Sequence, residues 1–490
     1  MRIVILIISA STPLATIVGT APLGFAFGGA SLPATYLISG LLILLFCVGY
    51  TQMSRRITRP GAFYSYITRG IGRPAGVAAA WLALVSYTTF LAGCFGIAPY
   101  YASLILEQQL GIHVPWPLYA LLLFLAVGVT AYRRIDFSAA LLGLFVTAEV
   151  ACLVVLDVVM IATGGVHLLP THVFSPSVAF GPGVGVALVF AIMSFVGFES
   201  AALYAPEARN PRRTIPRATY IAVGVITVVY CLTTWLAVGA RGIDSVSGAA
   251  SRQVGDFFFA ISDEYVGSWL TSTMAVLMLV AQFAVALAIA NATARYTQAL
   301  AKERLLPGWL GAGHPKFASP HHAVIALLII SAAFIFGGWM IGWDPYLDLS
   351  SVLFGFGVVG IVAIQAGACL SVILFFRKDS GFHWWKTLLA PAIGGIGLVA
   401  ALILIVDSFS LVSGKDSPVV GALPWLLVVA TIGGALYGLH LRRRHPERYE
   451  LLGAGDTASE FDDVISPEIW DDPTPPSKPE TELSDTAEQK

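Results

Sequence analysis

The sequence predicts an all-α membrane protein that crosses the bilayer twelve times, and three observations carry that reading. Hydrophobic residues make up 57% of the 490 and charged residues 12%, against roughly a quarter charged in soluble domains, and the mean hydropathy is +0.79. Apolar stretches recur at about the 20 residues that a 30 Å hydrocarbon core demands. Basic residues fall in alternate connections, as they do where cytoplasmic loops retain Lys and Arg.

In order, the apolar stretches are 3–27, 33–53, 75–106, 115–132, 137–163, 184–205, 215–240, 266–300, 322–341, 346–376, 388–409 and 423–441. Met1-Arg2 and the small residues Gly19, Thr20 and Ala21 loosely imitate a secretory leader. The single n-region charge favours a retained first span. The longest connections are 167–183 and 241–265. Beyond residue 445 the chain turns to Pro, Asp, Glu, Ser and Thr, a composition unable to bury a core, so 446–490 is expected as a disordered acidic tail on a 1–445 transmembrane domain. Residues 450–490 hold 12 acidic and 2 basic residues, so the formal charge of −1 is a basic body of +9 joined to a tail of −10. Placing alternate loops on one side gathers 25 of the 28 basic residues there, leaving Arg241, Arg252 and Lys415; both termini are therefore expected in the cytoplasm.

The same residues exclude several functions. A phosphate-binding surface needs a basic excess, so nucleic acid is not an expected partner. No G-x-x-x-x-G-K-[ST] loop occurs, which argues against ATP hydrolysis. No His, Cys or carboxylate cluster suggests a metal, and no cofactor or enzymatic activity is expected. Cys47, Cys94, Cys152, Cys231 and Cys369 lie singly in apolar runs, which reads as small buried hydrophobes.

Two spans are interrupted. TIVGTAPLGF in the first places Gly19 and Thr20 ahead of Pro22, and SFVGFES in the sixth places Gly197 ahead of Glu199. A half-helix ending at each would leave N–H groups and carbonyls free near the midplane, suited to a carboxylate and an ammonium respectively. Interruptions five spans apart make about 3–163 and 184–376 two inverted repeats, with 388–441 as two extra helices. Each glycine read singly is equally a close-packing device. Intramembrane acids are functional candidates. Glu149, twelve residues into the fifth span, lies near the midplane and is the expected proton carrier. Glu199 is read as a helix cap, an ammonium ligand or a second titrating group, and Asp157 as a solvated residue nearer the surface. Tyr87 and Phe198 are candidate gates, and Ile289 and Phe356 candidate pocket walls.

Three loops then carry a pattern. FVGFESAALYAPEARNPRRTIPRA (195–218), SRRITRPGAFYSYITRGIGRPAG (54–76) and NATARYTQALAKERLLPGWLGAGHPKFASP (291–320) resemble, in order, loops of the amino acid/polyamine/organocation (APC) superfamily of permeases. The resemblance spans about 1–445. It implies a LeuT-type fold with alternating access and a substrate held between the breaks: backbone at Val18, Gly19, Thr20 and Ala21 meets its carboxylate, and Phe195, Val196, Gly197 and Phe198 its amine, with Glu199 matching the family's acidic residue after the glycine. Glu149 falls where some proton-coupled members place a lysine. Two departures stand out: Pro22 replaces the usual G-x-G-I-F run, and one acid, Glu207, replaces a pair. The expected function is import of an amino acid or related amine across the plasma membrane, coupled to protons. The alternatives are an amino acid/polyamine exchanger without net proton movement, and a sensor without flux.

Overall fold

A computed structural model describes residues 4, 11–56, 62–134, 139–198, 211–377, 383–413 and 417–452; Glu199, Glu207 and most of the acidic tail lie outside them. The described residues all belong to one compact unit within Met1–Gly453. Within hydrocarbon, backbone polar groups must be satisfied inside the segment, and the described regular structure is accordingly helical. The main helices are α1 (Pro13–Gly28), α2 (Leu32–Arg56), α3 (Ala62–Gly70), α4 (Arg73–Leu110), α5 (Trp116–Tyr132), α6 (Ala139–Gly164), α7 (Val184–Met193), α8 (Pro211–Arg241), α9 (Val246–Gln253), α10 (Phe257–Tyr265), α11 (Ser268–Lys302), α12 (His321–Met340), α13 (Ser351–Phe376), α14 (Ala390–Asp407), α15 (Pro424–Arg444) and α16 (Pro446–Leu451).

Among the described residues, nine segments are long and apolar enough to cross a membrane, and α5 and α7 are shorter apolar helices. The first of the nine, Pro13–Ser54, contains the 3-10 turn Gly29–Ser31 that separates α1 from α2. Helix α4 is the longest; at 1.5 Å per residue it runs about 57 Å, well beyond a 30 Å core, and α11, α13 and α15 pack along it. Helix α8 packs on α2, α14 on α13, and α1 on α7. The α1–α7 approach is close because both helices present glycine there: a Cβ on Gly28 would stand 2.6 Å from Ala187 Cβ, and one on Gly183 would stand 2.7 Å from the Gly28 oxygen.

The structure moves the first interruption. Helix α1 does not break at Gly19–Thr20 but runs through Pro22, and the interruption lies earlier, at Thr12, whose φ is 33°. Proline removes the N–H that would bond the carbonyl four residues back, here Val18. Tyr101 of α4 donates its hydroxyl to that carbonyl at 2.6 Å, which satisfies the group Pro22 leaves free and lets the helix continue. The sixth-span interruption falls where the residues put it: α7 stops at Met193, the next residues form turns, and Gly197 takes φ 112°, a conformation in which a Cβ is strained.

Three further differences concern polar segments. The connections 167–183 and 241–265 are largely built of short helices, α9 and α10 among them. Residues 446–451, expected in the tail, form α16, where Arg73 donates from Nη2 to the Glu450 carbonyl at 2.8 Å and stacks over Tyr449. Asp157, expected in solvent, is 4% exposed. Thr233 of α8 donates to its Oδ2 at 2.9 Å, while its Oδ1 has no hydrogen-bond partner among the described residues. Of the cysteines, four are buried and Cys231 is half-buried, and none forms a disulfide among the described residues, as expected of isolated thiols in apolar helices.

Candidate functional site

The two interruptions face one cavity of about 50 Å3, room for a few water molecules. Ser11, Thr12, Ala15, Thr16 and Thr20 line it from the first span, and Met193, Ser194 and Val196 from the sixth. Phe90, Cys94 and Ile97 of α4 close one wall, Gln282, Val285 and Ile289 of α11 another, and Phe354 of α13 a third. Helix α1 begins at the cavity and α7 ends at it. The aligned peptide dipoles therefore present a positive end from α1 and a negative end from α7, the polarity that a zwitterion's carboxylate and ammonium require.

Glu149 lies at the α1 end. It is 3% exposed, and the backbone N–H of Leu14, in the first turn of α1, donates to its Oε2 at 3.2 Å. The first N–H groups of a helix have no internal acceptor, so a carboxyl from α6, 135 residues along the chain, supplies one. Behind the cavity a polar shelf ties the breaks together. Tyr36 Oη lies 3.0 Å from Ser194 Oγ, and the rings of Tyr36 and Tyr230 meet edge to face at 5.4 Å. Tyr230 and Thr16 both donate to the Ser11 carbonyl, at 3.4 and 2.9 Å.

Two aromatic clusters include residues that flank the interruptions. In one, Phe25 packs on Phe257 and Phe258 with ring centres 5.4 and 6.5 Å apart, and Tyr100 stacks on Tyr346 at 4.6 Å. In the other, Phe198 meets Phe46 at 5.9 Å and Tyr50 at 6.3 Å, and Phe63 of α3 extends the cluster.

Of the residues singled out from sequence, Thr20, Val196 and Ile289 line the cavity. Val18, Gly19 and Ala21 are buried within α1 and do not line it; with α1 starting at Pro13, the N–H groups free of internal bonding belong to its first turn instead. Gly19 serves close packing: a Cβ there would stand 3.0 Å from Met278 Cε and 3.1 Å from Gln282 Nε2. Phe195 is buried, its ring 6.2 Å from that of Tyr230. Phe198 sits in its aromatic cluster, Gly197 forms the turn, and Phe356 and Tyr87 are buried and half-buried off the cavity. Ser11, Thr12, Ser194 and Gln282 were missed. Thr12-Pro13 is a helix-start signature hidden in an apolar run, and Gln282 is the sole polar residue between Thr273 and Asn291. Among the described residues no group of His, Cys, Asp and Glu could hold a metal ion.

The comparisons with known proteins agree with this architecture. The amino acid permease family model matches residues 1–435. An uncharacterised transporter of Mycobacterium tuberculosis is 27% identical over 89% of this chain and 91% of its own length. A branched-chain amino acid permease of Lactococcus lactis is 24% identical over 80% of this chain and 84% of its own. Among solved structures, MhsT in complex with L-phenylalanine shares the fold, with a TM-score of 0.56 and 15% identity, covering 81% of this chain and 98% of that one. Helices interrupted at a shared cavity thus belong to a LeuT-type transporter fold, and the chain is a member of the amino acid permease family of the APC superfamily.

Proposed function

We propose that the protein is a proton-coupled symporter that brings an amino acid across the plasma membrane by alternating access, with both termini in the cytoplasm. The observation that carries this reading is the single hydrogen bond from Leu14 N–H to Glu149. It puts a buried carboxyl at the same helix N-terminus that faces the cavity, where a substrate carboxylate would be drawn. Two anions at one helix end in a low-dielectric interior repel strongly. Substrate binding and protonation of Glu149 therefore favour each other, and such reciprocal coupling of two ligands is the thermodynamic content of symport. The aromatic clusters around Phe25 and Phe198 are the closures that would open alternately. The names of its relatives, among them the branched-chain permease, support an amino acid as cargo.

Uptake into proteoliposomes tests the proposal. An inward proton gradient should drive accumulation without internal substrate. Silence until the vesicles are preloaded would show a strict exchanger, and saturable binding without flux a sensor.

A further inference from the structure

Gln282 is 5% exposed and its carboxamide, at the cavity wall, has two donors and an acceptor to satisfy. Among the described residues it makes one weak contact, Nε2 to Met278 Sδ at 3.9 Å. Buried amides are ordinarily hydrogen-bonded, and one left unpaired is costly. Its place is prepared: residue 19 lacks a side chain, and a Cβ there would lie 3.1 Å from Nε2, so the amide is seated against α1 by close packing instead of by a hydrogen bond. Around it stand Ile97, Val285, Ile289 and Phe354, and no charged residue lines the cavity among those described.

We infer that the cavity accepts small neutral amino acids whose side chain carries a hydrogen-bonding group, threonine and serine above valine and alanine, and that Gln282 is the residue that reads that group. This rests on the cavity being the substrate site. A hydroxyl both donates and accepts, so it pairs with the carboxamide; a lysine or arginine side chain would bring a charge with no counter-ion among the described lining residues. Threonine and valine have nearly the same shape, so apolar packing scarcely separates them. A pocket built to bond a hydroxyl rejects the analogue lacking it, because its own polar group is then stranded. The unpaired amide should make the preference for threonine about tenfold or more.

The test is competition against radiolabelled alanine in proteoliposomes bearing the full chain. Wild type should be inhibited by threonine at a concentration at least about tenfold lower than by valine, and lysine should compete poorly. In Q282L the threonine-to-valine ratio should fall to about one through loss of threonine affinity, with a monodisperse size-exclusion peak of the purified variant as proof of folding. Q282M, or G19A, which pushes the carboxamide off its seat, should reduce the ratio if Q282L fails to fold. A wild-type ratio near one, or a ratio unchanged in folded Q282L, overturns the inference about Gln282 alone. If no amino acid competes or enters, the reading of the cavity itself falls, and the inference with it.

Discussion

Replacing Glu149 with Gln is the sharpest perturbation of the coupling scheme. The side chain accepts the Leu14 N–H at 3.2 Å and is buried; a carboxamide oxygen accepts the same bond, so E149Q should fold with little loss of stability. Leucine at the same position offers no acceptor, and a stranded buried N–H costs about 1–3 kcal/mol, which makes E149L the destabilised counterpart. The transport effect is larger and of a different kind. A neutral amino acid carried with one proton moves one charge, worth about 2.3 kcal/mol at 100 mV, and a tenfold ratio corresponds to about 1.36 kcal/mol. Wild type should therefore accumulate substrate roughly 50-fold under that potential, whereas E149Q should stop at equal concentrations inside and out. The assay sets the potential with a potassium gradient and valinomycin, and measures net uptake beside exchange into preloaded vesicles. E149Q should exchange without accumulating, and its exchange should be insensitive to pH. Accumulation by E149Q equal to that of wild type would refute the role of Glu149.

Three further outcomes follow from the geometry. Y101F leaves the Val18 carbonyl without its 2.6 Å bond beside a proline that supplies none, and thermal unfolding in detergent should show a loss of about 1 kcal/mol; no loss would mean that another group satisfies that carbonyl. G197A forces a Cβ onto a backbone with φ 112°; a destabilisation of about 1–2 kcal/mol with impaired uptake is expected, and a fully active, equally stable variant would show that the turn does not need glycine. Burial, reinforced by Asp263 and opposed by a hydrogen bond from Gln108, holds the Asp256 carboxyl in the α9–α10 connection above its ordinary value of 3.8. The folded loop thus binds that proton more tightly than the unfolded chain does, so the contribution is fully present below pH 3.8 and is lost as pH climbs through the folded-state value. D256N should raise the melting temperature at pH 7 relative to wild type and narrow the difference near pH 4; an unchanged difference across that range would sink the assignment.

Helix content, the membrane class, the sixth-span break and the burial of Glu149 within an apolar span were legible in the chain, because hydropathy, proline and glycine act locally and a charge in an apolar run stands out at any distance from its partner. Thr20 and Val196, named through the family resemblance, line the cavity. What stayed hidden depended on contacts between residues far apart in sequence. Pro22 looks like a helix start, and it is one unless something bonds the Val18 carbonyl; that something is Tyr101, 83 residues away. Asp157 looks solvated until Thr233 of another helix lies against it. Gln282 was visible as a lone amide, but only packing places it against Gly19 and on the cavity. The sequence by itself determined that the chain is a multi-pass helical membrane protein, since burial of apolar surface and internal backbone bonding are properties of each segment alone. The tertiary structure decided where the first span opens and which N–H meets Glu149, because whether a polar group is free or satisfied is a property of what the fold brings beside it.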